Sequence, residues 1–357
     1  MVKQEEPPIV ERIARFVARP ASDDFDRLAV DAFAYQYRTI PPYRRLCRSR
    51  GATPRSVHRW QDVPAVPAGA FAGLALHAAP PREVFRSSGT TGGPRSVHYH
   101  PFPDLYRRVI DASFPAFCLP EGGRPPMLSL IPSRRQLPDS SLAFMVDHVL
   151  RRYGGSGSLT AFGDGGVDAA AATAWCRRRI AEGRPVFVLA TAFALLQWLD
   201  ELAAQDVTLA LPPATTIFET GGFKGRSREI GRGELLDRIA RRLQVPAARV
   251  VREYGMTELT SQLYSRVLQG GDPDLLVGPP WLAARVLEPA SLEPAAPGEA
   301  GLIAIFDLAN VGSAVHLLTG DLGIAEAGGI RLLGRAAGAE LRGCSLTVEE
   351  LLDDATP

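Results

Sequence analysis

The chain has 357 residues, 46% of them hydrophobic, and its 40 lysines and arginines stand against 39 aspartates and glutamates for a net charge of +1. That length can bury a large core in roughly two or three structural units, and the near-neutral balance excludes a surface dedicated to nucleic acid or to an anionic membrane. Four cysteines, Cys47, Cys118, Cys176 and Cys344, are scattered without a CxxC pair; this argues against a zinc site or a disulfide framework and, with no apolar signal core and no long apolar run, predicts a cytoplasmic protein without a membrane span.

Apolar residues at helical spacing predict amphipathic helices over residues 9–19 and 24–38, the second capped from Ser22-Asp23-Asp24. The Tyr35–Arg50 stretch mixes tyrosines with arginines and reads as a solvated helix face. A strand around Val84-Phe85 precedes a Ser/Thr/Gly loop, an amphipathic helix covers residues 103–117, and Met127–Pro132 is a short buried strand. Pro138–Leu142 opens a helix capped by Asp139 or Ser140. The glycines of 154–166 do not spell a dinucleotide fingerprint, so the stretch reads as a loop. A helix over 167–184, a strand over 185–191, a helix over 193–202, a strand from Thr215 and a helix over 229–243 continue the alternation of an α/β protein. Val250–Tyr254 is a further strand, and from about Pro279 short strands with Pro/Gly turns predict a distorted β-barrel or second sheet.

Three loops carry chemistry. In Ser87-Ser88-Gly89-Thr90-Thr91-Gly92-Gly93-Pro94-Arg95 the bare backbone N–H groups and hydroxyls could wrap phosphate oxygens, with Arg95 adding charge. It is not the common P-loop, which needs Lys-Ser/Thr after its last glycine. Gly221-Gly222-Phe223, at the end of the strand from Thr215, would let a flat ring approach the backbone, with Phe223 as a wall. Tyr254-Gly255-Met256-Thr257-Glu258 offers an aromatic, a hydroxyl and a carboxylate; by itself Thr257-Glu258 reads equally as a helix cap or a metal site. A lone Thr319-Gly320-Asp321 is commonly a turn.

Taken in order with Glu219-Thr220-Gly221-Gly222 and Gly334-Arg335, these motifs resemble the adenylate-forming superfamily of acyl-CoA synthetases, luciferases and peptide-synthetase adenylation domains. Within it the chain is similar to the acyl-protein synthetase family of bacterial bioluminescence and, less closely, to phenylacetate-CoA ligase. Ser129–Ser133, Pro138–Leu142, Glu219–Glu229 and Leu341–Leu346 carry the narrower likeness.

The resemblance implies an α/β core of mixed β-sheets flanked by helices over residues 1–278, bearing the phosphate loop, the adenine site and the metal site. A β-rich, barrel-like part over 279–357 would bear the ribose-binding aspartate. It implies ATP and Mg²⁺ as cofactors and a fatty or other apolar carboxylic acid as substrate. Ser87, Ser88, Gly89, Thr90, Thr91, Gly92 and Arg95 would hold the β- and γ-phosphates, and Thr257 would contact the α-phosphate. Glu258 would hold Mg²⁺, Gly221, Gly222, Phe223, Tyr254 and Gly255 would frame adenine, Asp321 would accept from the ribose hydroxyls, and Arg335 would reach ribose or phosphate. The acyl group would pass to Cys344, or to a partner reductase or carrier protein. Cys344 stands beside Arg342, which would favour its thiolate, yet a small buried hydrophobe is the other reading. Superfamily members continue for ~100 residues into a mobile domain bearing the adenylation lysine, whereas this sequence stops at Pro357 and has Arg95 in place of the loop lysine; transfer to a protein thiol is the expectation. The competing expectations are an aryl- or acyl-acid ligase using CoA or a carrier protein, and a non-catalytic nucleotide-binding homologue.

Overall fold

The computed structural model describes residues 6–88, 95–221 and 230–336. Helices α1 (Pro8–Ala18) and α2 (Phe25–Thr39) lie where the periodicity places them, and the Asp24 carboxylate caps α2 by accepting from the Arg27 N–H. Helix α3 (Pro41–Ser49) departs from the solvated face expected there: Tyr43 is buried and its hydroxyl donates to the Pro64 carbonyl at 3.1 Å.

After the short strand β1 (Val66–Pro67), strands β2 (Glu83–Arg86) and β3 (Val97–His100) form an antiparallel hairpin whose ends bracket the Ser/Thr/Gly loop. Helix α4 (Pro103–Cys118), strand β4 (Met127–Ser129) and helix α5 (Ser141–Tyr153) follow, and Ser140, not Asp139, is the cap. The glycine-rich stretch holds three two-residue strands, β5 (Leu159–Thr160), β6 (Phe162–Gly163) and β7 (Gly166–Val167), where a plain loop was expected. Then come α6 (Ala169–Glu182), β8 (Phe187–Thr191), α7 (Ala192–Ala204), β9 (Thr216–Thr220), α8 (Arg232–Leu243) and β10 (Val250–Tyr254). The β-rich remainder is β11 (Leu263–Ser265), β12 (Leu275–Val277), β13 (Leu282–Leu287), β14 (Ala300–Asp307), β15 (His316–Glu326) and β16 (Gly329–Arg335). Thr319-Gly320-Asp321 lies inside β15, not in a turn.

One twelve-stranded mixed sheet runs β13-β14-β15-β16-β12-β11-β10-β9-β8-β4-β5, with β1 beside β15. Strands β10, β9, β8, β4 and β5 are parallel, and the others on the main path are antiparallel. The β-rich strands continue this sheet: β12 pairs with β16, so hydrogen bonding crosses residue 278. Register shifts in the β14–β15 and β15–β16 ladders supply the distortion expected of this part.

Period-two alternation explains how the parallel strands sit between two helical layers. Val188, Ala190, Ile217 and Val250 pack with α6, α7 and α8 on one face. Phe187, Leu189, Phe218 and Val251 pack with α4 and α5 on the other. Continuing the alternation places Glu219 and Arg252 toward α8, where Arg232 stands 3.7 Å from Glu219, and Thr220 and Glu253 toward α4 and α5. No described helix is long and apolar enough to cross a membrane.

Candidate active site

Parallel strands leave their ligand crevice at their carboxyl ends. Here the residues just beyond β4 (Leu130, Ile131), at the end of β8 (Thr191), at β9–Gly221 and at β10–Thr257 line one cavity of about 850 Å³. Ser88 and Arg95, at the edges of the Ser/Thr/Gly loop, line the same cavity.

The β2–β3 hairpin is docked by its inward histidines. His98 Nδ1 donates to the Thr257 carbonyl at 2.8 Å, and His100 Nε2 lies 3.0 Å from Thr260 Oγ1. Because Thr260 gives its own proton to Asn310 Oδ1 at 2.8 Å, His100 is the donor in that pair. Burial holds both imidazoles neutral, His98 down to about 4 and His100 well below its ordinary value. Ser87 Oγ accepts from the Ser96 N–H, and the Ser96 hydroxyl binds the Glu258 carboxylate. The edges of the Ser/Thr/Gly loop are thereby tied to the Thr257-Glu258 segment. Arg95 donates to the Ser87 carbonyl and stands 3.5 Å from Asp139, so its guanidinium closes the loop base as well as facing the cavity.

No helix follows Glu258, which removes the helix-cap reading of Thr257-Glu258; the segment turns into β11. It is braced from behind by a buried polar network. Asp307 accepts from the N–H groups of Thr260, Ser261 and Ala309 and from the Ser261 hydroxyl, at 2.7–3.0 Å. Asn310 donates to the Glu258 carbonyl at 2.8 Å. Burial nevertheless raises Asp307 to about 6 against those four donors. Removing the carboxylate in Asp307→Ala strands them, and we expect a loss of about 3–5 kcal/mol in denaturant titration. Since the folded-state value lies above that of an unfolded aspartate, the carboxyl's stabilising contribution is full below the unfolded value and is lost as pH rises through about 6. The gap between the two proteins should therefore narrow from about pH 4 to about pH 7.

Tyr254 and Asp321 meet although they lie on β10 and β15: the phenol donates to Asp321 Oδ2 at 2.8 Å. Arg335 Nε is 3.7 Å from Asp321 Oδ1. Glu258 is buried, which raises it above the usual carboxylate range, while Arg335 pulls it down and Asp321 pushes it up. The structure thus brings together Ser87, Ser88, Arg95, Thr257, Glu258, Tyr254, Gly255, Asp321, Arg335 and Gly221, the last with a positive φ of 72° that suits glycine. Gly89, Thr90, Thr91, Gly92, Gly222, Phe223 and Cys344 lie outside the described residues.

Among the described residues no group of three or more His, Cys, Asp and Glu side chains forms a metal cage. Glu258 as a lone carboxylate fits Mg²⁺, which is held by one or two carboxylates together with substrate phosphates and water.

His98, His100, Asp307 and Asn310 have no local signal in the sequence, since their role lies only in contacts between distant segments. Glu253 does carry a local signal, as a carboxylate inside an otherwise strand-like run.

The family model described as acyl-protein synthetase, LuxE, matches residues 173–353, half of the chain. No curated protein sequence matches. Among solved structures, an open conformation of 2-hydroxyisobutyryl-CoA ligase in complex with 2-HIB-AMP and CoA is similar with a TM-score of 0.63 at 16% identity, over 87% of this chain and 74% of that one. A long-chain-fatty-acid-CoA ligase from Archaeoglobus fulgidus gives 0.51 at 14% identity, over 71% and 51%. ATP-bound MatB from Rhodopseudomonas palustris gives 0.51 at 16% identity, over 81% and 56%. At these identities the likeness is one of fold.

Proposed function

Because the chain belongs to the LuxE acyl-protein synthetase family, we propose that it activates a carboxylic acid with ATP as an acyl-adenylate and passes the acyl group to a protein thiol. The observation that carries this reading is the convergence of Thr257, Glu258, Tyr254, Asp321 and Arg335 with the loop edges Ser87, Ser88 and Arg95 at the carboxyl ends of the parallel strands.

In the first step a carboxylate oxygen bonds to the α-phosphorus as the bond to pyrophosphate breaks, so two anions must be brought together. Positioning and neutralisation supply most of the catalysis. The Thr257 hydroxyl would donate to the α-phosphate, and Arg335 would offset charge on the ribose–phosphate side. The residues from Ser87 to Arg95 would take the departing pyrophosphate. Mg²⁺, held by Glu258, would neutralise phosphoryl oxygens when bound. Gly221 and Gly222 would leave room for the adenine ring against Tyr254, and Asp321 would accept from the ribose hydroxyls.

In the second step a thiolate attacks the acyl carbonyl and AMP leaves. Cys47, Cys118 and Cys176 are poor nucleophiles: all are buried, and burial pushes Cys47 and Cys176 up to about 12 and Cys118 well above its ordinary value. Cys344, inside the span matched by the family, is the remaining candidate for a self-acylated intermediate. A partner reductase or carrier protein is the alternative acceptor. The acid would present an apolar body to Ile131, Leu142, Met145 and Phe193 on the cavity wall, and the reaction would take place in the cytoplasm.

Incubation with ATP, Mg²⁺ and a panel of carboxylic acids tests the reading. Acid-dependent pyrophosphate exchange and an acyl mass adduct lost in Cys344→Ser are expected. Absence of exchange with every acid sinks the activity. An adduct that persists in Cys344→Ser moves the thiol elsewhere, and acyl-CoA formed on adding CoA makes the protein a CoA ligase.

A further inference from the structure

The cavity contains a carboxylate for which the adenylation chemistry gives no use. Alternation along β10 turns Arg252 toward α8 and Glu253 toward α4 and α5, onto the same face as Thr220 of the neighbouring strand. Glu253 is 5% exposed and lines the cavity beside Thr220, Gly255, Gln262 and Tyr106. Its Oε2 accepts from the Thr220 hydroxyl. Its Oε1 has no donor among the described residues and lies over the bare α-carbon of Gly255, where a Cβ would come within 2.5 Å of it.

The surrounding polar groups are engaged elsewhere. Gln262 Nε2 donates to the Tyr106 oxygen and Gln262 Oε1 accepts from the Tyr264 hydroxyl, both at 3.3 Å. The charge felt most by Glu253 is another carboxylate, Glu219, whose arginine partners stand on the opposite face of the sheet. Burial therefore lifts Glu253 to about 7. A purely hydrocarbon chain laid against this oxygen would bury Oε1 without a donor, which costs free energy. A ligand bearing an O–H or N–H group would remove that cost.

We propose that the acid bound in this cavity carries a hydroxyl or amino group on its acyl body, and that Glu253 selects it by accepting that group's hydrogen bond. The inference rests on the acyl-adenylate reading for its occupant. Glu253 is a specificity residue in this scheme and does not touch the reacting atoms.

Pyrophosphate exchange and calorimetric binding are measured on the full chain and on Glu253→Gln and Glu253→Leu, with straight-chain acids, their hydroxy counterparts and their amino counterparts of equal length. In the wild type, one donor-bearing series should exceed its plain isostere in kcat/KM and in affinity by at least about tenfold. Glu253→Leu should bring that ratio to near unity. Glu253→Gln should keep a preference for a hydroxyl and lose one for an ammonium, which separates the two donor chemistries, and its conserved shape keeps the test readable should the leucine variant fail to fold. Equal use of plain acids by the wild type, or a preference unchanged in both variants, overturns the inference. So does a rise in KM for ATP at unchanged acid preference, which would make the adenine amino group the partner of Glu253. Donor-selective binding lost in the variants, but with no exchange for any acid, would overturn adenylation and uphold the pocket chemistry. Exchange without selectivity would do the reverse.

Discussion

Glu258→Gln is expected to lower acid-dependent pyrophosphate exchange by about 10³-fold, the scale of losing one metal-held charge at a phosphoryl centre. The substitution keeps the side chain's size and leaves an oxygen for the Ser96 hydroxyl, so the tie between the hairpin and the Thr257 segment survives. What it removes is a carboxylate whose ionised form burial already penalises. The variant should thus fold at least as well as the parent above the ordinary carboxylate range, and a loss of exchange with unchanged or higher thermal stability separates chemistry from unfolding. Burial raises Glu258 in the metal-free protein, so at sub-saturating Mg²⁺ the acid limb of the wild-type activity profile should lie above the pH of an ordinary glutamate, since the ionised form is the one that binds a cation. Exchange that survives in Glu258→Gln at the parental rate, with the parental dependence on Mg²⁺ concentration, would remove this residue from the proposed metal site.

The layered part of the fold was open to sequence reading because each strand of the parallel sheet states its pattern locally. Phe187–Thr191 is an apolar run and Thr216–Thr220 a β-branched and aromatic one between helices of clear period, and Asp24 and Ser140 mark helix starts by their own chemistry. The loops whose edges meet at the cavity were legible for the same reason, since glycines and hydroxyls at strand ends are local signals. The braces behind them were not. His98 reaches Thr257 across 159 positions, and Asp307 serves three N–H groups on two segments, contacts that no local window contains. Strand β3 was missed because Val97–His100 is two apolar-faced turns of alternation interrupted by histidines, and these read as polar until burial makes them neutral. Tyr43 was misplaced by its neighbours: Arg44 and Arg45 made the stretch look solvated, while Tyr43, Leu46 and Cys47 turn inward together and anchor α3.

The proposed ribose site offers the second large effect, and one that can be tested without any acid. Asp321 is buried at the meeting of β15 and β16, with Tyr254 donating to Oδ2 and Arg335 beside Oδ1. Burial and the adjacent carboxylate push the Tyr254 phenol well above its ordinary value, so it remains a neutral donor throughout the working pH range. Two ribose hydroxyls donating to an ionised carboxylate are worth about 1.5–3 kcal/mol each. Asp321→Ala should accordingly weaken ATP binding by about 10²-fold or more, read by calorimetry or as KM in the exchange assay. Tyr254→Phe removes the tether and keeps the ring, so its effect should be smaller, about three- to tenfold. Because the phenol would act on the nucleotide through Asp321, the double variant should bind ATP no worse than Asp321→Ala, a non-additivity expected of residues in direct contact. Deoxy-ATP sharpens the assignment: lacking one hydroxyl, it should bind the parent less well than ATP, and the difference should vanish in Asp321→Ala. An undiminished preference for ATP over deoxy-ATP in that variant would take Asp321 out of the ribose site and leave its pairing with Tyr254 as a structural brace between the parallel and antiparallel halves of the sheet.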